Sequence, residues 1–367
     1  MEFLTAHYHV AAAPEDIAAR ADALALEQSI EMPLVAVRSE FVREHIVARV
    51  GDIAPLPAGG FRVALELAVA TTGHEIGQLM NMLFGNCSLQ EDVRLVDVVL
   101  PPALLGAFPG PRFGIAGLRE RLDAHGRALT CTALKPQGLP PAELAALAGT
   151  FARAGIDVIK DDHGIANQTY APFAVRVAAC QRAIGAANRE TGRRSVYAPS
   201  LSGGPRQLAE QARIVAGEGV GAVLAAPMVM GLPTFSDLVE ELGVPVIAHP
   251  ALGGASHIHP PLLCGLIFRL CGADATIFPN YGGRFSYSRE LCVALTARAR
   301  EPHGHLRACL PVPAGGMNVA RVPEMLGLYG RDTMLLIGGA LLAAGDRLFE
   351  HSREFVATVA AHGKSSA

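Results

Sequence analysis

Lys160, Asp161, Asp162, His163 and Gly164 close the apolar run Gly155-Ile156-Asp157-Val158-Ile159. An amine, two carboxylates and an imidazole placed where a short buried strand meets its loop can move protons and hold a divalent cation. In a barrel of parallel strands, that end is where catalytic groups collect. The competing reading is a solvated turn in which Asp162 caps the next helix. Comparable groups close other apolar runs: Lys135-Pro136-Gln137-Gly138, His249-Pro250, Asn280-Tyr281-Gly282-Gly283-Arg284, Ala314-Gly315-Gly316 and Gly338-Gly339. Glycine pairs let backbone N–H groups approach an anion closely. Gly315, Gly316, Gly338 and Gly339 therefore read as a phosphate seat, although ordinary turn glycines are the simpler account of either pair alone.

The elements that must position these groups fall into two parts. Over residues 1–110, strand-like segments (Phe3 to Val10, Ile46 to Ile53, Phe61 to Ala70, Val93 to Leu100) mix with helical ones (Pro14 to Gln28, Glu75 to Leu83). That mixture suggests a small α+β domain of ferredoxin-like type with an antiparallel sheet. Over residues 111–367, eight short apolar strands alternate with helical segments. The strands are read at Ala128–Leu134, Asp157–Ile159, Ser195–Pro199, Ala222–Ala225, Val244–Ala248, Ala275–Phe278, Ala308–Val312 and Met334–Ile337. This is the rhythm of a (β/α)8 TIM barrel. A doubly wound open sheet is the runner-up, but no G-x-G-x-x-G follows the first strand.

Charge and composition exclude several functions. The net charge is −3 with no basic stripe and no tryptophan, which gives a nucleic-acid surface nothing to use. The seven cysteines are scattered, without a C-x-x-C pair, and read as buried thiols of a reducing compartment. No basic and apolar leader opens the chain, and its longest apolar stretch, near Met334 to Ala344, is too short for a membrane span. A cytoplasmic protein without membrane partners is expected. His257-Ile258-His259 reads as a loop, because prolines follow and no acidic ligand is near.

Taken together, Leu134-Lys135-Pro136, Gly155 to Asp162, His249-Pro250-Ala251 and Leu310 to Gly316, with Glu27 and Phe84-Gly85-Asn86 in the first domain, resemble the RuBisCO large-chain family. The departures resemble its RuBisCO-like (form IV) members. The resemblance implies an α+β domain followed by a barrel, and a homodimer whose shared active sites borrow Glu27 and Asn86 from the second copy. It implies that Lys160 carries a carbamate and holds Mg2+ with Asp162 and His163, the last standing where the family has a glutamate. It makes Lys135 the acid–base group and His249 a contact for substrate oxygens or a proton relay. Arg284 falls in the place of a mobile-loop lysine.

Other family positions are lost: Gln137 stands for a second lysine, Pro250 for an arginine, Ile277 or Phe278 for a histidine, and Ala314 for a serine. The glycine seat survives while the opposite phosphate site turns apolar. Leaving a dianion there unpaired would cost several kcal/mol. A monophosphorylated ketose is therefore expected, and ribulose-bisphosphate carboxylation is not. The resemblance implies an isomerase- or lyase-type enzyme working through a metal-bound enediolate. The apolar far end favours 5-methylthioribulose-1-phosphate isomerase chemistry of methionine salvage. The alternatives are a 3-oxo-isoapionate-4-phosphate transcarboxylase/hydrolase or decarboxylase of apionate catabolism, and a catalytically silent binding protein with His163 as the lesion.

Overall fold

The computed structural model describes residues 2–364. Two compact units emerge. One runs to Pro109 and takes in Leu252–Leu263; the other comprises Gly110–Ala251 and Cys264–Ala367.

In the first unit, strands β1 (Phe3–Val10), β2 (Arg49–Pro55), β3 (Phe61–Ala68) and β4 (Val93–Val99) form an antiparallel sheet in the order β2-β3-β1-β4. Strict alternation in β1 buries Leu4, Ala6, Tyr8 and Val10 and leaves Thr5, His7 and His9 on the other face. Helices Ile17–Glu27 and Ile76–Phe84 bury Ile17, Ala21, Leu24, Ile76, Leu79 and Leu83. Tyr8 is tied to the second helix by its hydroxyl, which donates to the Leu83 carbonyl at 2.6 Å. The segment His257–His259 is not a free loop. It lies parallel to β4, with Leu95 N–H donating to His257 at 3.0 Å and His259 N–H to Leu95 at 2.8 Å. Unmade backbone bonds on a sheet edge favour such a partner.

The second unit is the barrel. Its strands are β5 (Leu129–Leu134), β6 (Val158–Asp161), β7 (Val196–Ala198) with its continuation β8 (Ser200–Leu201), β9 (Val223–Ala225), β10 (Val246–Ala248), β11 (Ala275–Pro279), β12 (Leu310–Ala314) and β13 (Met334–Leu336). Parallel ladders run β13-β5-β6-β7 and β8-β9-β10-β11-β12. Proline explains both breaks. Pro199 interrupts the third barrel strand between β7 and β8. On β12, Leu310 N–H donates to Asp274 and the Ala314 carbonyl accepts from Asn280 N–H, so the even residues face β11. Pro311 and Pro313 then face β13 and have no N–H to give; the Pro311 carbonyl accepts the Thr333 hydroxyl instead, at 3.1 Å.

Residues two apart along each strand fill the barrel interior: Leu129 and Cys131, Val158, Ala198, Ala222 and Leu224, Ile247, Ala275 and Ile277, Leu310 and Val312, Met334 and Leu336. All eight strands read from the sequence are present, with ends shifted by one or two residues. The fold also contains helices Glu40–His45 and Gly114–Leu122 and the closing helix Leu348–Lys364. Between β10 and β11 the chain forms a π-helical run, Pro261–Ile267, followed by the short helix Phe268–Leu270. Among the described residues no helix is long and apolar enough to cross a membrane.

Candidate active site

The two-residue period of the barrel strands decides which side chains reach its mouth. Val158 is interior, so Lys160 and then Asp162 follow on the same side. Leu129 and Cys131 lead in the same way to Lys135, and Ile247 leads to His249. The groups do meet. Lys135 Nζ lies 2.8 Å from Asp162 Oδ1, and His163 Nδ1 lies 3.7 Å from the same oxygen. The imidazole of His163, about half exposed, stacks on that of His249 with centroids 4.2 Å apart and planes 9° from parallel. Lys160, 3% exposed, donates from Nζ to the Asp161 carbonyl at 3.0 Å. Ala251 N–H donates to His249 Nδ1 at 3.1 Å, so the neutral ring carries its hydrogen on Nε2.

The charges follow from this crowding. Burial lowers the Lys160 ammonium below the usual lysine range, with Lys135 adding to the effect against the pull of Asp162 and Asp161. Burial likewise pushes His249 down to about 3, helped by Lys160 and His163. Burial alone would raise Asp162, but His163, Lys135 and Lys160 outweigh it and hold the carboxyl well below the usual range.

The glycine loops border this group unevenly. A Cβ built on Gly338 would lie 3.8 Å from Lys135 Cε, so this glycine stands beside the amine; Gly339 begins the short helix Gly339–Leu342. Gly315 and Gly316 have φ of 81° and 70°, torsions that favour glycine. Gly316 has a packing reason as well, because a Cβ there would run into the Gly283 backbone. The loops after β11 and β12 are thus in contact. Arg284 extends from the first of them, its guanidinium 5.3 Å from the Phe285 ring. In the sheet unit, Asn86 Nδ2 donates to Glu27 Oε1 at 2.9 Å, so these two residues, read separately, form one exposed pair.

One residue read as pocket lining is elsewhere. Phe278 is an outward position on β11 and packs edge-on against Tyr329, centroids 6.1 Å apart at 86°. Ile277 is interior, and the next interior position is Pro279, which was missed although counting by two from Ala275 identifies it. Gln137, which the resemblance gives only as the replacement of a lysine, has a structural place of its own. Its side chain lies against Gly164, where a Cβ would displace it, and so joins the loops after β5 and β6.

The unmodified side chains bring one carboxylate, Asp162, and two stacked imidazoles, His163 and His249, to the mouth. Among the described residues no three His, Cys, Asp or Glu side chains gather as a ready-made metal site. Magnesium prefers hard, anionic oxygens. The donor set fits it once Lys160 supplies one, and a buried amine with lowered proton affinity suits reaction with CO2.

Comparison with known proteins bears on the same region. The model of the ribulose bisphosphate carboxylase large chain, catalytic domain, matches residues 114–260. The 5-methylthioribulose-1-phosphate isomerase of Rhodospirillum rubrum is 53% identical over 359 residues, covering 97% of this chain and 96% of that protein. The 2,3-diketo-5-methylthiopentyl-1-phosphate enolase of Geobacillus thermodenitrificans is 30% identical over 370 residues, covering 94% and 89%. A crystal structure of a Rubisco-like protein from Rhodopseudomonas palustris superimposes with a TM-score of 0.94 at 50% identity, covering 100% of both chains.

Proposed function

We propose that this chain, which belongs to the RuBisCO large-chain family as a RuBisCO-like (form IV) protein, is an isomerase that shifts the carbonyl of a monophosphorylated ketose by proton transfer, with 5-methylthioribulose 1-phosphate as substrate. The observation that carries this reading is the Lys135–Asp162 pair, 2.8 Å apart at the barrel mouth, with Gly338 against the lysine stem. A mobile proton carrier stands directly beside a loop suited to an anion. Whole-length similarity to the R. rubrum isomerase, well above that to the enolase, supports the substrate.

In this reading the glycine loops at Gly315-Gly316 and Gly338-Gly339 hold the phosphate through backbone N–H groups, and Arg284 adds charge from the neighbouring loop. Lys135 Nζ takes the proton from the hydroxyl-bearing carbon beside the carbonyl, leaving an enediol, and returns a proton to the former carbonyl carbon. The hydroxyl proton passes from the first carbon's oxygen to the second's, so that the carbonyl moves by one carbon. One C–H bond breaks and one forms, with no net oxidation. His249, neutral and with hydrogen on Nε2, donates to a substrate oxygen. Ile277 and Pro279 bring no charge to the interior face of β11, which suits an apolar substrate end and not a second phosphate. Magnesium held by a carbamate on Lys160 with Asp162 and His163 would supply Lewis-acid polarisation of the carbonyl. The exposed Glu27–Asn86 pair is proposed to complete the site of a second copy in a homodimer.

The test is incubation with 5-methylthioribulose 1-phosphate in D2O, followed by NMR. Carbonyl migration with deuterium entering the carbon skeleton is expected, and Lys135→Met is expected to slow it by about 10²–10⁴-fold. Absence of both carbonyl migration and deuterium exchange with the wild-type protein would refute the proposal.

A further inference from the structure

Asp161 stands between the two groups on which the proposed chemistry depends, and it faces away from both. Lys160 and Asp162 are interior by the strand period, so Asp161 points outward into the layer between the barrel and its helices. There its carboxylate is enclosed. Tyr197 Oη donates to Oδ1 at 2.7 Å, while Arg176 Nε at 3.1 Å and Ser200 N–H at 3.0 Å donate to Oδ2. Asp161, Arg176 and Tyr197 are each 0% exposed. Arg176 comes from helix Phe173–Thr191 and also holds the Ala171 carbonyl through Nη1, at 2.8 Å.

Position on the ladder gives this carboxylate a task that no backbone group performs. The register of β6 with β7 ends at Lys160 opposite Ala198. Pro199 then offers no N–H, and its carbonyl accepts from Leu224 on β9. Ser200 faces back toward β6, where the strand has run out, and its N–H is met by the Asp161 side chain. One carboxylate thus continues the sheet past the end of its own strand. It ties that end to the third barrel strand and to a helix in the layer behind.

We propose that Asp161, Arg176 and Tyr197 are positioning residues. Anchored from the outside of the barrel, the Asp161 carboxylate fixes the end of β6 so that Lys160 and Asp162 on either side stay aimed at the mouth. This rests on the reading above only in taking those two as the working groups.

The experiment compares Tyr197→Phe and Arg176→Lys with wild type and with Tyr329→Phe. The last is a control that removes another buried hydroxyl, one that donates to Asn280 at 2.5 Å. Three quantities are measured: the melting midpoint, kcat and KM for 5-methylthioribulose 1-phosphate, and the rate at which cyanate carbamoylates Lys160, followed by peptide mass spectrometry. Small misplacements of reacting groups are costly, so kcat is expected to fall about 10- to 100-fold in Tyr197→Phe, with KM within about twofold. Lys160 labelling should accelerate several-fold as the strand end loosens, and Arg176→Lys, which keeps the charge, should fall between this variant and wild type. Tyr329→Phe should match wild type in kcat and labelling at a similar loss of melting midpoint. Wild-type kcat and labelling in Tyr197→Phe would overturn the proposal, as would losses that merely track the melting midpoint in both tyrosine variants. Should the wild-type protein leave this substrate untouched, the isomerase reading fails alone, because the cyanate comparison at Lys160 still decides the positioning role.

Discussion

Gly126→Ala and Gly316→Ala make the same change at nearly the same torsion, φ of 73° and 70°, in different company. A Cβ at Gly126 meets nothing within 4 Å, whereas at Gly316 it meets the backbone of Gly283. The torsional part, about 1–2 kcal/mol for an L-residue in the left-handed region, is common to both. Only Gly316→Ala adds overpacking, about 1–3 kcal/mol, because backbone cannot rotate aside as a side chain does. The difference should appear as several degrees in melting midpoint between the two variants. Forcing the loops after β11 and β12 apart also disturbs the proposed phosphate seat. Losing one hydrogen bond to a charged group, about 1.5–3 kcal/mol, should raise KM for the phosphorylated substrate about 10- to 100-fold in Gly316→Ala and leave it unchanged in Gly126→Ala. Thermal denaturation and steady-state kinetics on the pair are sufficient. Equal midpoints with an unaltered KM would refute both the contact and the seat.

Phe278→Leu should cost about 1–2 kcal/mol through its lost edge contact with Tyr329, while KM stays within about twofold; a large KM change would return this side chain to the pocket. Magnesium with bicarbonate should raise the melting midpoint of the wild-type protein, by the equivalent of about 2.7 kcal/mol at a hundredfold excess over Kd, and should do nothing for Lys160→Ala. An equal rise in the variant would remove the carbamate from the account. Asp92 is held below the ordinary carboxylate value of 3.8, chiefly by its hydrogen bond from Arg20, 2.7 Å away. A depressed folded-state value adds stability above pH 3.8 and loses it as pH falls through the folded value. The gap in denaturant midpoint between wild type and Arg20→Met should therefore be constant from about pH 7 to 5 and close in acid. A gap that widened in acid would contradict the pairing.

The barrel was legible because each of its strands is buried on both faces and must be a short apolar run, and because the residue that ends each run is where water returns. Lys135, Lys160, Asp162 and His249 stand out on those grounds alone. Local pattern also contained more than was read from it: counting by two from Ala275 puts Pro279 inside and Phe278 outside. Other features needed the folded chain. The Lys135–Asp162 pair and the His163–His249 stack join separate strands, and no spacing along one strand encodes a distance to another. For Gly316 the sequence offers a phosphate seat or an ordinary turn, and only the folded chain puts the Gly283 backbone against it. From the sequence, Asp161 is the second carboxylate of the cluster that closes the strand, with nothing to separate its role from that of Asp162. Its enclosure by Arg176, Tyr197 and Ser200 exists only because Pro199 breaks one strand just where its neighbour ends, a coincidence of register that tertiary structure decides.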